Sequence, residues 1–481
     1  MKPRPPVFLI PLALLLPGCT TTGSHPSTTS SVDTPQIWTR SATPAQSGAL
    51  DTADLAAWWT RFNDPVLDQL VSDALAHNPG VRLALSRIAQ SRATRTVEKS
   101  GLFPSLNAGV SGQGSRTRDH RTDAVTEGDS YSASLDASWE IDLFGKQRLA
   151  LAAADADLAQ TEENFYAAQV SLAAEVATAY VNLRSAETQL AVVRRSLASR
   201  EETTRLTRWR QEAGVGDILD TRQAESSLEQ ARAAIPALEQ SAAETRNQLA
   251  VLSGRTPGSL NSLLASTARV PTAPAALAVG IPAETLRQRP DISAAGLAVE
   301  AASKRSDAAR RERLPSLNLT GSLGVDAGEL GRLASPAATV ASIAGGLTAP
   351  IFSAGRIGAN IRIQDEITRQ ALISYESAVL DALAEVENAL EAIRRQTERR
   401  ASLELAASAT READTLARQR YEAGSVDFLQ VLDAERSLLS AEQSLVTTDA
   451  DLCSAHIRLY KALGGGWSAE STADTSPAAS L

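Results

Sequence analysis

The sequence repeats itself once, at a separation of 210–211 residues, and that repeat limits the fold more than any single motif. Asn78-Pro79-Gly80-Val81 recurs as Arg289-Pro290-Asp291-Ile292, and Phe103-Pro104-Ser105-Leu106-Asn107 recurs as Leu314-Pro315-Ser316-Leu317-Asn318. The best match aligns residues 209–228 with 419–438, where ten of the twenty positions are identical. Among them are Gly214 with Gly424 and Asp217 with Asp427, and the same shift carries Gly254 onto Gly464. A period this long marks a duplicated domain, not a solenoid of short repeats. The units are expected at 64–254 and 282–464, joined by a Pro/Ala/Ser-rich connector at 255–281. A segment at 19–63 precedes them and a flexible tail at 465–481 follows.

Each unit reads as a pair of strands followed by very long helices. Residues 131–143 alternate without a break, apolar at odd positions and polar or acidic at even ones. Such a strand has one greasy and one wet face. Thirteen residues at about 3.3 Å each, tilted by about 45°, cross a hydrocarbon core of ~30 Å. Leu135, Trp139 and Ile141 are then expected to face lipid. Asp136, Glu140 and Asp142 are expected on the lumen wall, where they solvate it and bias passage toward cations. Residues 105–111 and 317–325 alternate similarly, with Leu319 and Leu323 on the greasy face. Leu347, Ala349 and Ile351 mark a fourth strand, although 338–346 alternate poorly.

The spacing predicts helices over 145–213 and 218–253, then 356–423 and 427–463. Leu172, Val176, Ala179, Leu183, Ala186, Leu190, Val193 and Leu197 follow the 4-3 spacing of a coiled-coil seam. Pro236 is expected to kink the second helix. Four strands are too few to close a barrel, and a sheet in lipid tolerates no open edge. A chain built this way must oligomerise.

The N-terminus carries an export signal. Lys2 and Arg4 precede a short apolar run from Val7 to Leu16, which is too short to remain as a spanning helix. Leu16-Pro17-Gly18-Cys19 resembles a bacterial lipobox. Residues 1–18 are read as a lipoprotein signal peptide and Cys19 as the acylated first residue of the mature chain. Thr20, in place of Asp, favours outer-membrane sorting by that resemblance. The net charge of −9 argues against a nucleic-acid partner. Two Cys and four scattered His exclude a disulfide scaffold and a His-rich metal site. Cys453 and His456, three apart beside a leucine stripe, read as packing. No phosphate loop or nucleophile elbow is present, so neither catalysis nor a cofactor is expected, beyond the covalent lipid at Cys19.

The duplication, the strands and the helices resemble the TolC-like outer-membrane efflux channels, in particular the OprM/NodT-type lipoprotein branch. The resemblance rests on Trp59-x-x-Phe62-x-Asp64-Pro65-x-Leu67, Arg289-Pro290-Asp291-Ile292, and Tyr421-Glu422-Ala423-Gly424 through Asp433-Ala434-Glu435-Arg436. It implies an α+β membrane protein: a homotrimer whose four strands per chain make a twelve-stranded transmembrane β-barrel, continued by a periplasmic α-helical coiled-coil barrel with an equatorial belt, to which the lipid-anchored tether and belt segment at 19–63 and the connector at 255–281 contribute. It implies a passive exit duct of a tripartite efflux system, working with a periplasmic adaptor (membrane fusion protein) and an inner-membrane pump, usually proton-driven and of RND type. Alternatives are a type I protein-secretion duct, a periplasmic adaptor, or a structural envelope coiled coil. By the same resemblance, hairpin tips at Gly214 and Gly424 dock the adaptor. Leu429, Asp433 and Arg436 fall on constriction positions, three Leu429 forming an apolar ring and three Asp433 an acidic one tied by Arg436. Asp220 matches a further gate position, with Tyr421 as hydrogen-bond donor to it. Val426 stands where TolC has an Arg, so that clasp is absent.

Overall fold

The computed structural model describes residues 55–265, 269–274, 288–332 and 339–467. Cys19, the signal peptide, most of the tether and belt segment before Leu55, parts of the connector, and the tail after Trp467 lie outside the described residues. A 3-10 turn at Trp58–Phe62 leads into α1 (Pro65–His77) and α2 (Pro79–Ser100). Then come β1 (Ser105–Arg118), β2 (Val125–Ile141), α3 (Lys146–Glu212) and α4 (Ile218–Leu252). The second unit holds α5 (Pro290–Arg311), β3 (Ser316–Ala327), β4 (Thr339–Thr348), α6 (Arg356–Glu422) and α7 (Phe428–Ala462). The duplication survives residue for residue in the helices: α3 and α6 each have 67 residues, and α4 and α7 each have 35.

The long helices form because little in them opposes the helix. No Pro or Gly interrupts α3, and 67 residues at about 1.5 Å each make a rod of ~100 Å. Of the predicted seam, Leu172, Val176, Ala179, Leu183, Ala186 and Val193 are buried, while Leu190 and Leu197 are half-buried. The helix α4 runs through Pro236 without ending. Both hairpins turn on a glycine with positive φ, 73° at Gly214 and 69° at Gly424, where a Cβ is disfavoured. Among the described residues no helix is long and apolar enough to cross a membrane.

The four strands make one antiparallel sheet in the order β1-β2-β3-β4. Its register places like with like. Val110 opposes Ala133, Leu135 opposes Leu323, Trp139 opposes Leu319, and Leu317 opposes Leu347. On the other face Asn107 opposes Asp136, Asp136 opposes Ser322, and Ser322 opposes Ser342. The period-two reading therefore holds for the paired stretch from Tyr131 to Ile141 of β2 and its partners in β1 and β3. The strand bounds differ from expectation in three strands, and β1 continues past 111 to Arg118. The strand β2 runs from Val125 and stops at Ile141, so Asp142 lies beyond it. The strand β4 is 339–348, and Ala349, Pro350 and Ile351 lie past its end. Its alternation is poor because Ala341, Gly345 and Gly346 are too small to signal a face and because Val340 stands on the polar face, opposite Gly324.

The main core sits where the helices of both units meet the chain ends. Trp58 is fully buried and stacks on Tyr460, with ring centroids 5.3 Å apart. Leu67, Leu70 and Val71 of α1 pack against Tyr180 and Leu183 of α3. The Tyr180 hydroxyl donates to Asp64 at 2.6 Å, and Asp64 also accepts from the backbone N–H of Val66 and Leu67. Gly466 N–H donates to the Leu55 carbonyl, which pins the two ends of the described chain together. In the second unit Arg289 donates to Glu385 at 2.8 Å and to the Ala462 carbonyl at 2.9 Å, tying α6 to α7.

Candidate functional site: the paired hairpin tips

The two helical hairpins, α3–α4 and α6–α7, present tips at matching places in the repeat. The structure divides the predicted gate residues into two groups. Asp220 and Tyr421 lie together at the junction between the tips. Arg210 of the first hairpin donates to the Tyr421 carbonyl at 2.8 Å, and its guanidinium lies 4.8 Å from the Tyr421 ring centroid. Tyr421 is buried beside Phe428, and Val431, Leu432 and Ala224 complete that small core. Partial burial raises the Asp220 carboxyl above its ordinary value, the charges of Asp217 and Asp427 add to this, and Arg210 opposes it. Burial also raises the Tyr421 hydroxyl, with Asp220 adding and Arg210 opposing. No hydrogen bond joins Tyr421 to Asp220 among the described residues, so the expected donation is replaced by an electrostatic contact centred on Arg210. Sequence reasoning missed Arg210, although its identity with Arg420 across the repeat was visible.

Leu429, Asp433 and Arg436 form the second group. All three are exposed, and their spacing of four and three places them on one face of α7. Within the chain Asp433 and Arg436 form no ion pair among the described residues. The expected tie is therefore absent inside one protomer, and this face of α7 is left unused by the chain's own packing.

Beside that face lies a charged junction that the sequence did not disclose. Glu435 is 5% exposed. It accepts from Thr203 of α3 at 2.9 Å and pairs with Arg418 of α6 at 3.1 Å. Arg200 of α3, also buried, stands 3.9 Å from its other oxygen and donates to the Ser227 carbonyl of α4 at 3.0 Å. Asp414 completes the set through Arg418 at 3.1 Å. All four long helices meet here. Burial is the largest influence on Glu435 and raises its carboxyl, while Arg418, Thr203 and Arg200 oppose it.

At the other end of the molecule the three acidic residues predicted for the lumen prove to be different from one another. Asp136 is on the polar face of β2 and accepts from Ser134 at 2.7 Å. Glu140 pairs with Lys146 at 3.2 Å. Asp142 accepts from the Arg148 backbone N–H at 3.0 Å and from its guanidinium at 3.1 Å, so it caps the start of α3 beyond the strand. Cys453 and His456 pack as expected. Cys453 donates to the Pro271 carbonyl, burial pushes its thiol up to about 12, and His456 bonds the Leu452 carbonyl.

Comparison with known proteins places these features. The family model "Outer membrane efflux protein" matches residues 70–255 and 281–465, the two halves of the duplication. The chain is 31% identical to outer membrane protein OprJ of Pseudomonas aeruginosa over 481 aligned residues, 97% of each chain. It is 33% identical to the probable efflux pump outer membrane protein SepC of Pseudomonas putida over 413 residues, 85% of each. The solved outer-membrane channel OprN superposes with a TM-score of 0.84 at 32% identity, covering 90% of this chain and 97% of that one.

Proposed function

The chain belongs to the outer membrane efflux protein family, and we propose that it is the outer-membrane exit duct of a tripartite small-molecule efflux system. One observation carries this reading. A sheet with one apolar face, one polar face and two open edges, at β1 and β4, runs directly into two helices of ~100 Å. In lipid those edges must be paired, and three copies closing a twelve-stranded barrel satisfy them. The polar faces then line a continuous path, and the helices carry it across the periplasm. Conduction needs no chemistry, and the energy comes from an inner-membrane pump, of RND type in this reading. The hairpin tips at Gly214 and Gly424 dock the periplasmic adaptor. Leu429, Asp433 and Arg436, unused within one chain, face the narrow end of the tunnel and hold it shut at rest. Acyl chains on Cys19 anchor the mature N-terminus as an aid to the barrel, since a lipid chain binds far more weakly than a spanning structure.

Native mass spectrometry of the purified protein should give a three-chain species, and that species should conduct ions across planar bilayers. A monomer that does not conduct would contradict the proposal. Cys19→Ser should abolish acyl labelling and leave a longer precursor, while trimers still form.

A further inference from the structure

The outer arm of the first strand pair sorts its charges by face. The strands β1 and β2 stay paired through residues 125–130, past the last β2–β3 pair, Tyr131 with Ala327. The register remains one to one from Gln113 opposite Ser130 to Arg118 opposite Val125. Arg116, Arg118, Glu127 and Asp129 therefore share the face that carries Leu106, Val110 and Leu135 lower down. The opposite face of the arm holds Gln113, Ser115, Thr117, Thr126, Gly128 and Ser130, without a charge. An arm evenly surrounded by water has no reason to place every charged strand residue on one side.

The height of this band identifies what it meets. From Ile141 to Tyr131 the apolar face runs ten residue steps, about 33 Å along the strand and ~25 Å once tilted, which matches the lipid-facing band of a spanning barrel. The Tyr131 ring lies over Gly112 at the upper edge of that band, where a Cβ on Gly112 would come within 3.2 Å of it. Arg116 is four residues further out, about 10 Å above that edge, at the level of the lipid headgroups.

The geometry points to a lipid-phosphate site: Arg116 and Arg118 bind the phosphate groups of outer-leaflet lipid. This inference rests on the reading that the apolar face meets lipid. Glu127, 3.2 Å from Arg116, and Asp123, 2.7 Å from Arg118, orient the two guanidiniums. Each carboxylate occupies only part of a planar fork with five N–H donors, and the rest faces outward. Both arginine side chains are well exposed, at 74% and 60%. A guanidinium fork matches phosphate oxygens in pairs, which favours phosphate over an uncharged sugar headgroup.

The test uses the full-length protein in micelles, titrated by native mass spectrometry with bisphosphorylated lipid A and with the same lipid dephosphorylated. The wild type should prefer the phosphorylated lipid by about tenfold. Arg116→Ser with Arg118→Ser should abolish the preference, and Arg116→Lys with Arg118→Lys should restore part of it. Inorganic phosphate at millimolar concentration should not displace the lipid. Equal binding of the two lipids, an unchanged preference in the double Ser variant, or displacement by inorganic phosphate would each overturn the site. A fluorophore on Ala133→Cys, probed with brominated lipid in nanodiscs, separates the two layers of the argument. Quenching there upholds the lipid-facing sheet whatever the arginines do, and absence of quenching overturns the sheet reading together with the site.

Discussion

The two hairpin tips descend from one sequence and have become different devices. In the first, Asp217 caps α4 by accepting from the Leu219 N–H at 3.0 Å, and Ile218 and Leu219 are exposed. In the second, Asp427 makes no such bond, and Phe428, the counterpart of Ile218, is buried at 1% exposure under Tyr421. Glu225 and Glu435 occupy the same repeat position. Glu225 pairs with Arg208 and Arg222 at the edge of its hairpin, whereas Glu435 is enclosed by Arg418, Arg200 and Thr203 at the meeting of four helices. An identical residue at an identical repeat position thus does unequal work, because burial decides what its charge is worth. The second tip is fastened to the body of the molecule, and its exposed face takes no part in the chain's own packing.

The largest expected difference is between those two glutamates. Glu435→Ala leaves Arg200 and Arg418 without their buried partner and should cost about 3–5 kcal/mol. Glu225→Ala should leave the unfolding transition nearly unchanged, because both its partners are solvated. Thermal unfolding in detergent, followed by circular dichroism, compares the pair directly. Similar losses in the two variants would erase the asymmetry.

Arg210 offers the next contrast. It bridges the tips through the Tyr421 carbonyl and ring, whereas its repeat counterpart Arg420 is exposed within the chain. Arg210→Ala should loosen the tips of a single protomer, at a cost of about 1–2 kcal/mol for the lost stacking and hydrogen bond. Arg420→Ala should act only where copies meet, lowering the stability of trimers and not the fold of the chain. Native mass spectrometry on detergent dilution distinguishes the two outcomes.

A smaller effect follows from pH. The Glu435 carboxyl is held above its unfolded value of about 4.5, with burial the main cause. Such a group binds its proton more tightly in the folded chain. Its contribution is fully present below about pH 4.5 and is lost as pH rises through the raised value. Wild type should therefore gain stability relative to Glu435→Gln as pH falls from 7 toward 4.5. Parallel melting curves for the two proteins across that range would show that Glu435 does not titrate there.

Much of this architecture was legible because the repeat and the two periodicities are written in residue identity. Gly214 and Gly424 marked the turns, the 4-3 spacing marked α3, and the alternation at 131–143 gave the sheet its faces. What stayed hidden has physical reasons. The outer arm of β1 and β2 keeps its register through Gly112, Gly114 and Gly128, which carry no side chain to announce a face. Asp142 looked like one more lumen residue because parity alone cannot show that the strand stops at Ile141 and that Asp142 bonds Arg148 of the following helix. Glu435 showed only as a repeat identity with Glu225. Its partners Arg200 and Thr203 lie more than 230 residues away, and only folding brings them together.

The smallest tip effect should come from the caps. Asp217→Ala removes a bond that Asp427→Ala does not, so the first should cost about 1 kcal/mol and the second little.

The asymmetry between the tips is tested most directly by single-channel conductance in planar bilayers. Leu429→Ala with Asp433→Ala strips the unused face of the second tip. Leu219→Ala with Gln223→Ala makes the matching change in the first. The account predicts a higher conductance for intact trimers of the former and little change for the latter. Unchanged conductance in well-assembled Leu429→Ala/Asp433→Ala trimers, or equal increases from both pairs, would contradict it.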